Sequence, residues 1–261
     1  MMRSLTTAAT GMVAQQTNLD VIANNLSNVN TTAFKGQRAE FQDLMYQTYR
    51  SSGVSTGAST LAPNPTQVGL GSTFVATASN FSPGVIENTS SPLDVAISGE
   101  GFFQIQRPDG IAYTRDGSFR KDANGLLCTA DGYPVVPEIT VPTGATAINI
   151  SGEGVVSAIV PGSNDPQQLG TLELATFANP GGLTRSGQNL YLKGGASGEP
   201  TTGTPGQNGI GTLLESHLEG SNVQVVEEMV KMIAAQRAYE INSKAIQTAD
   251  EMLQTTNQLK R

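Results

Sequence analysis

The two ends of the chain carry heptad seams too narrow to make a core of their own, and this limits the fold more than any other feature of the 261 residues. Near the N-terminus, Leu5, Met12, Leu19 and Leu26 recur every seven residues, and Ala8, Gln15, Ile22 and Val29 repeat the spacing with an offset of three. This is the a/d pattern of a helix that runs along a partner helix, with one polar member, Gln15. Ser4 can cap its start, and a helix over 4–29 would be about 39 Å long. At the other end Ser221 and Gln224 resemble a capping box, and Glu227 and Glu228 suit the positive end of the helix dipole. Val223, Val226, Val230 and Ile233 form one stripe, continued by Ala238, Ile241, Ala245, Met252 and Leu259 after a one-residue phase shift near Ala234. No Gly or Pro interrupts 222–259, which predicts about 57 Å of helix.

Two such helices can close on each other inside a monomer, but their unequal lengths would leave part of the longer stripe bare. Apolar residues off the seams (Val21 and Ala23 in the first helix, Met229, Met232 and Leu253 in the second) also ask for more than one partner. The pattern therefore favours assembly with further copies. Unlike surfaces that meet without closing a ring make an open helical filament.

Between the helices the period changes from seven to two. Asp109-Gly110, Asp116-Gly117, Asn124-Gly125 and Asp131-Gly132 recur at spacings of seven, eight and seven, each offering the positive φ of a tight hairpin turn. Short strands lie between and around them: VAIS, GFFQIQ, IAYTR, SFRK, LLCT, ITV, AINI, TLELATF and NLYLK. The expected fold class is α+β, with an antiparallel β-rich domain inserted between long N- and C-terminal helices that form a coiled-coil domain. Four segments follow: 1–33, the first half of the helical domain; 34–86, a connector; 87–215, the β-rich domain; and 216–261, the closing helix. Residues 51–86 contain no charge, which suits either a Gly/Ser/Pro linker or a segment packed against neighbours.

The chemistry-bearing residues point away from catalysis. The chain has one Cys and one His, Cys128 and His217, so a Cys/His zinc site is close to excluded and no internal disulfide can form. The Asx-Gly pairs lack the spacing of an EF-hand, and Gly99-Glu100-Gly101 leads into a strand and lacks the Lys of a phosphate loop. No cofactor or metal is expected. A net charge of −7 without a basic stripe argues against nucleic acid. No stretch reaches the ~20 apolar residues of a membrane span, and the N-terminus lacks the apolar run of a secretory signal.

The motifs that carry a resemblance are long and ordered. SLTTAATGMVAQQTNLDVIANNLSNVNTTAFK at one end and SNVQVVEEMVKMIAAQRAYEINSKAIQTADEMLQTTNQL at the other resemble the paired terminal signatures of the bacterial flagellar axial proteins, the rod and hook family. LDVAISGEGFF and YTRDGSFRKDANGLLCTADGYPV in the middle are also similar to that family, so the resemblance spans nearly the whole chain. FQDLMYQTYR and the uncharged stretch after it resemble the distal rod version, and the length leaves no room for the outer β domain of a hook protein.

The resemblance implies a structural subunit, not an enzyme, that polymerises helically into a rigid hollow drive shaft passing torque to the hook and exported subunits through its bore. The terminal helices would line that shaft, with the β domain facing outward. The implied location is the distal rod of the basal body, from the periplasm to the outer membrane. The implied partners are further copies, the proximal rod proteins, the hook protein, the peptidoglycan-ring and outer-membrane-ring proteins and the flagellar type III export apparatus, through which the chain leaves without a cleaved signal. Another axial protein, proximal rod or hook, is the nearest alternative. A secreted β-domain binding module or hydrolase with dimerising helices is the alternative of a different class.

Three sets of residues carry this reading. The assembly seams are Leu5, Met12, Leu19, Ile22, Leu26 and Val29, with Val226, Val230, Ile233, Ile241, Ala245, Met252 and Leu259. The junction set is Asn24, Asn25, Asn28 and Asn30 with Phe34 and Lys35. Its asparagines either fix register against neighbouring chains or simply end the helix. The rod-type insertion, over 46–70, includes Tyr46, Tyr49, Arg50, Ser51, Gly53, Pro63 and Pro65. Family members often carry Gly before the Phe-Lys pair where this chain has Ala33. If that glycine serves a positive φ, the bend here is expected to be made another way.

Overall fold

The computed structural model describes residues 2–53, 63–145, 147–160 and 165–259, apart from the side chains of Met2, Asn257 and Leu259. The fold is α+β, with a helix at each end and a β-rich middle. It divides into two compact units that do not follow the chain order. Unit 1 is Met1–Ser27, Gln37–Ser79 and Gln224–Arg261; unit 2 is Asn28–Gly36 and Asn80–Val223. The expected 34–86 connector is thus shared, with 37–79 in unit 1 and the remainder in unit 2.

In unit 1 the N-terminal helix α1 (Met2–Ser27) packs along the C-terminal helix α2 (Val225–Leu259). The expected bounds of 4–29 and 222–259 were shifted at the inner ends. Val29 lies beyond α1, in the turn that follows it, and Val223 precedes α2. The cause at α1 is local: one side-chain bond and one backbone turn. Ser27 Oγ donates to Asn24 O at 2.9 Å, and Thr31 N donates to Asn28 O at 3.2 Å, both competing with further helical bonds. Ser221 Oγ accepts from Val223 N, and the first helical carbonyl belongs to Gln224, so the expected capping box is an Ser turn ahead of the helix. Two two-stranded antiparallel ribbons complete the unit: Gln37–Asp43 with Ser72–Ser79, and Tyr46–Arg50 with Thr66–Gly69.

Unit 2 is built on one antiparallel sheet. Its order is Thr184–Gly187, Leu190–Leu192, Gly110–Thr114, Phe102–Arg107, Leu174–Thr176 and Thr201–Gly203, with Val135–Val136 also paired to Phe102–Arg107. A three-stranded meander, Ala147–Ile150, Val155–Ile159 and Gln167–Thr171, adds inward residues to the same core. Val95, Ile97, Phe103, Ile105, Leu127 and Leu174 have at most 1% exposure at its centre, and the Phe103 and Phe119 rings meet edge to face at 5.0 Å.

Three of the four Asx-Gly pairs make turns with positive-φ glycines, at Gly110, Gly125 and Gly132. Asp116-Gly117 is different. Gly117 has no positive φ; a Cβ there would stand 1.7 Å from Val95 O, so the glycine serves close backbone approach. The expected ITV strand forms no ladder, although Ile139 and Val141 are buried and Leu127 N donates to Ile139 O.

Candidate assembly surfaces and the junction

The inner face of unit 1 is built from small and polar residues. On α1 the buried positions are Ala8, Ala14, Val21, Ile22 and Asn25; on α2 they are Glu228, Ala235 and Ala249. Asn25 Nδ2 donates to Glu228 Oε2 at 3.0 Å, and a Cβ on Gly11 would meet Asn242 Nδ2 at 2.9 Å. Those contacts are fourteen residues apart on each helix and run in opposite directions, so α1 and α2 are antiparallel with matched heptads. Glycine at position 11 allows that approach. Leu5, Met12, Leu19 and Leu26 of the expected seam are only half-buried, and Ile22 alone of the named α1 seam is fully buried. The buried stripe is rotated from the seam toward Asn25.

The larger apolar side chains of α2 point the other way. Val226, Val230, Ile233 and Ile241 are 76%, 61%, 56% and 66% exposed, and Ala245 and Met252 are exposed as well. At 100° per residue, Val226, Val230 and Ile233 lie on the side of α2 opposite Glu228 and Ala235. The Leu259 side chain lies outside the described residues.

The ribbon at Tyr46–Arg50 presents a second open surface. Met45, Tyr46, Tyr49 and Val68 are all exposed, and the Arg3 guanidinium stacks on the Tyr49 ring, 5.3 Å from its centre. Arg50 pairs with Thr66 at the end of the ladder, Ser51 follows it, and Gly53 has φ 80°. Pro63 and Pro65 are exposed on the returning side, while 54–62 of the expected insertion lie outside the described residues.

Of the four asparagines, Asn25 alone is buried. Its Nδ2 also donates to Gln37 O at 2.7 Å, and its Oδ1 accepts from Gln37 N at 2.8 Å, so one amide ties the end of α1 to the first ribbon and to α2. Asn28 Oδ1 accepts from the Thr31 hydroxyl at 3.1 Å. Asn24 and Asn30 are exposed.

Phe34 and Lys35 stand within unit 2. Lys35 has no solvent access; its Nζ donates to Glu219 Oε1 at 2.5 Å and to Ser82 O at 2.8 Å. Glu219, also fully buried, takes Arg115 Nε on its other oxygen, Oε2, at 2.9 Å, and its Oε1 accepts from Gly84 N as well, at 2.9 Å. Arg115 Nη2 continues to Ile97 O and Gly99 O. Burial alone would push the Glu219 carboxyl up, but Arg115, Lys35 and the Gly84 N–H outweigh it and hold the group below the ordinary carboxylate value. Burial and the neighbouring Arg115 push the Lys35 ammonium down, against the pull of Glu219. Phe34 lies beneath the Arg185 guanidinium, 5.1 Å from the ring centre. Sequence reasoning found Lys35 but missed Arg115, Arg185, Glu219 and Asn222, which stand 80 or more residues away with no local pattern to mark them.

Ala33 corrects an expectation. The bend is made as a glycine would make it: Ala33 adopts φ 54°, its N–H donating to Glu219 O at 2.7 Å and its methyl buried. The left-handed conformation costs an alanine about 1–2 kcal/mol.

Comparison with known proteins gives these surfaces a context. Residues 5–35 match the flagella basal body rod protein family, 96–158 the flagellar hook protein FlgE/F/G D1 domain, and 214–259 the flagellar basal body rod FlgEFG protein C-terminal family. A flagellar basal-body rod protein FlgG of Borreliella burgdorferi is 53% identical over 264 residues, covering all of both chains. The FlgG of Buchnera aphidicola from Acyrthosiphon pisum is 50% identical, covering 99% of this chain and all of the relative. This chain belongs to the flagellar basal-body rod proteins. A FlgF from Caulobacter vibrioides is less similar, 34% identical over 90% of the chain. The family is structural, not enzymatic, and its place is the rod of the flagellar basal body. Both terminal matches fall on the helices whose apolar faces were described above, and the first ends at Lys35.

Two outcomes follow for this rod protein. Replacing Ala33 by Gly relieves the left-handed strain while giving up less than about 0.8 kcal/mol of methyl burial, so urea denaturation should show a stability gain of up to about 1 kcal/mol. The second concerns pH. Because the folded Glu219 carboxyl titrates below its unfolded counterpart, its stabilisation is complete above about pH 4.5 and is lost as pH falls through the folded value. Glu219→Gln should lower stability at neutral pH by about 3–5 kcal/mol, since two buried cations lose their anion, and should remove this group's share of the acid slope measured by denaturation below about pH 4.5.

Proposed function

We propose that the chain is the distal rod subunit of the bacterial flagellum, polymerising helically into a rigid hollow shaft that passes torque to the hook and exported subunits along its bore. The observation that carries this is the face of α2 opposite α1. A helix that puts Ala235 and Ala249 inward and Val226, Val230 and Ile233 outward has its larger apolar area still to bury. A stripe of this length needs another helix rather than a small ligand. Further copies are the occupants, and coiled-coil contacts between subunits would extend the antiparallel α1–α2 pairing into the layers of a shaft. The relatives named FlgG, similar over their whole length, support the rod over the hook.

The ribbon at Tyr46–Arg50 and Thr66–Gly69 is the proposed locking element. A two-stranded ribbon is marginal by itself, and one with exposed Tyr46, Tyr49 and Val68 gains order by packing on neighbours. On this reading the other partners are the proximal rod proteins and the hook protein at the ends, the ring proteins around the shaft, and the type III export apparatus before assembly. With Cys128 alone and buried, no disulfide hinders export of an unfolded chain.

The substitutions Val230→Asp and Ile233→Asp together place two charges on the stripe without touching the α1-facing side. They should leave the circular dichroism of the monomer unchanged and abolish incorporation into rods seen by electron microscopy. Normal rods from this variant would overturn the reading. Removing residues 46–69 deletes both strands of the second ribbon together. The resulting shafts should assemble but bend, with a persistence length in micrographs several-fold below that of the parent rod; an unchanged persistence length would count against the locking role.

A further inference from the structure

Residues 33–36 are held by the 80–223 part of unit 2 in the manner of a bound peptide. Six of the eight backbone polar groups in this stretch are bonded outward or to the preceding turn. Ala33 N donates to Glu219 O, Phe34 N to Thr31 O, and Gly36 N to Asn222 Oδ1. In return Phe34 O accepts from Asn222 N, Gly36 O from Asn80 N, and Lys35 O from Arg185 Nη2. Asn222 Nδ2 reaches Asn80 O at 2.9 Å and Ser82 O at 3.1 Å, so one amide bridges the peptide and the wall beside it. The side chains fill two distinct places: Phe34 beneath Arg185, and Lys35 in a closed socket of one carboxylate oxygen and one carbonyl. Main-chain bonds that supply affinity, with side-chain sockets that supply selectivity, are the pattern of extended-peptide recognition.

We propose that this groove is a peptide-binding site whose ligand is the chain's own 33–36 segment, keyed by Lys35, and that its occupation speeds the pairing of α1 with α2. The reason is chain connectivity. α1 ends at Ser27 and α2 begins at Val225, two residues after the last residue of unit 2. With the β unit folded, the Gln37–Asp43/Ser72–Ser79 ribbon not yet paired and the peptide undocked, the path between the two helix roots runs through 28–80 and is about 55 residues long. The Phe34 O to Asn222 N bond shortens it to about ten. Loop closure scales as about the 3/2 power of length, so docking raises the effective concentration of one helix at the other roughly tenfold. Lys35 is the key because its socket demands an ammonium on a long apolar stem. Arg115 already takes the second oxygen of Glu219, which leaves no room for a forked guanidinium at position 35.

The test uses the full-length unassembled chain, so its failure is separable from any failure to form rods. Cys128→Ser, Gly11→Cys and Asn242→Cys together give a reporter pair at the point where α1 meets α2, and its closure with oxidised glutathione is timed. Adding Lys35→Met should slow closure about tenfold. Hydrogen exchange should show protection lost at 33–36 and 219–222 but kept at 102–114. Asn222→Ala, which releases the same peptide without entering the ion cluster, should slow closure likewise and covers the case in which Lys35→Met unfolds the sheet. A synthetic peptide of residues 29–36 added to the Lys35→Met chain should restore protection at 219–222 without restoring the rate, because it fills the groove but tethers nothing. Three results overturn the proposal. They are an unchanged rate when 33–36 has lost protection, a parent chain in which 33–36 exchanges as fast as the ends of α1, and a peptide that restores the rate as well.

Discussion

A carboxylate without solvent access must gather its donors from wherever the chain can bring them, and Glu219 gathers them from three distant places: Lys35, Gly84 and Arg115. Each partner would be costly to bury alone. Together they leave two cations on one anion, and Arg115 hands its remaining donors to the carbonyls of Ile97 and Gly99. A one-residue slip of any contributing segment would strand a charge, so the cluster acts on register more than on total stability. The same residue also accepts Ala33 N at its backbone carbonyl, which is why the left-handed alanine is tolerated: the surroundings over-determine its conformation.

The helical unit is organised on a different principle. Its inner face, with Gly11, Ala14, Asn25, Glu228, Ala235 and Asn242, brings two helices close and sets their register through amides and a carboxylate. It buries few large side chains, so the pair relies less on hydrophobic burial than an ordinary helical hairpin does. The larger apolar residues of α2 remain outside. Under the proposed assembly this is a coherent division: polar contacts specify the pairing within a chain, and the apolar area would be left for contacts between chains.

The β unit needed little beyond local rules to be anticipated. Alternation and turn chemistry located the Phe102–Arg107 and Gly110–Thr114 hairpin and the Val95–Ser98 strand to within a residue or two, because both signals are short-range. The reading of Asp116-Gly117 as a hairpin turn failed because Gly117 answers to a strand more than twenty residues earlier, at Val95 O. The a/d seam of α1 lies about a quarter-turn from the face that is buried against α2. An a/d count weights leucine and methionine, whereas the buried face selects the small and polar residues that let α2 approach.

The sequence by itself determined the two long helices, the β-rich middle, the absence of an internal disulfide and membership of a family built for assembly, because periodicity, turn residues and long motifs act over a few residues or are read directly. Only the tertiary structure decided what the asparagines and Lys35 do. Asn25 joins α1 to a residue 203 positions away, and Lys35 meets a carboxylate 184 positions away. ANNLSNVNTTAFK carries donors and acceptors that could serve a helix end, a neighbouring chain or a buried groove with equal local merit. The choice among them rests on which distant groups the fold delivers, and no local pattern in a sequence encodes that.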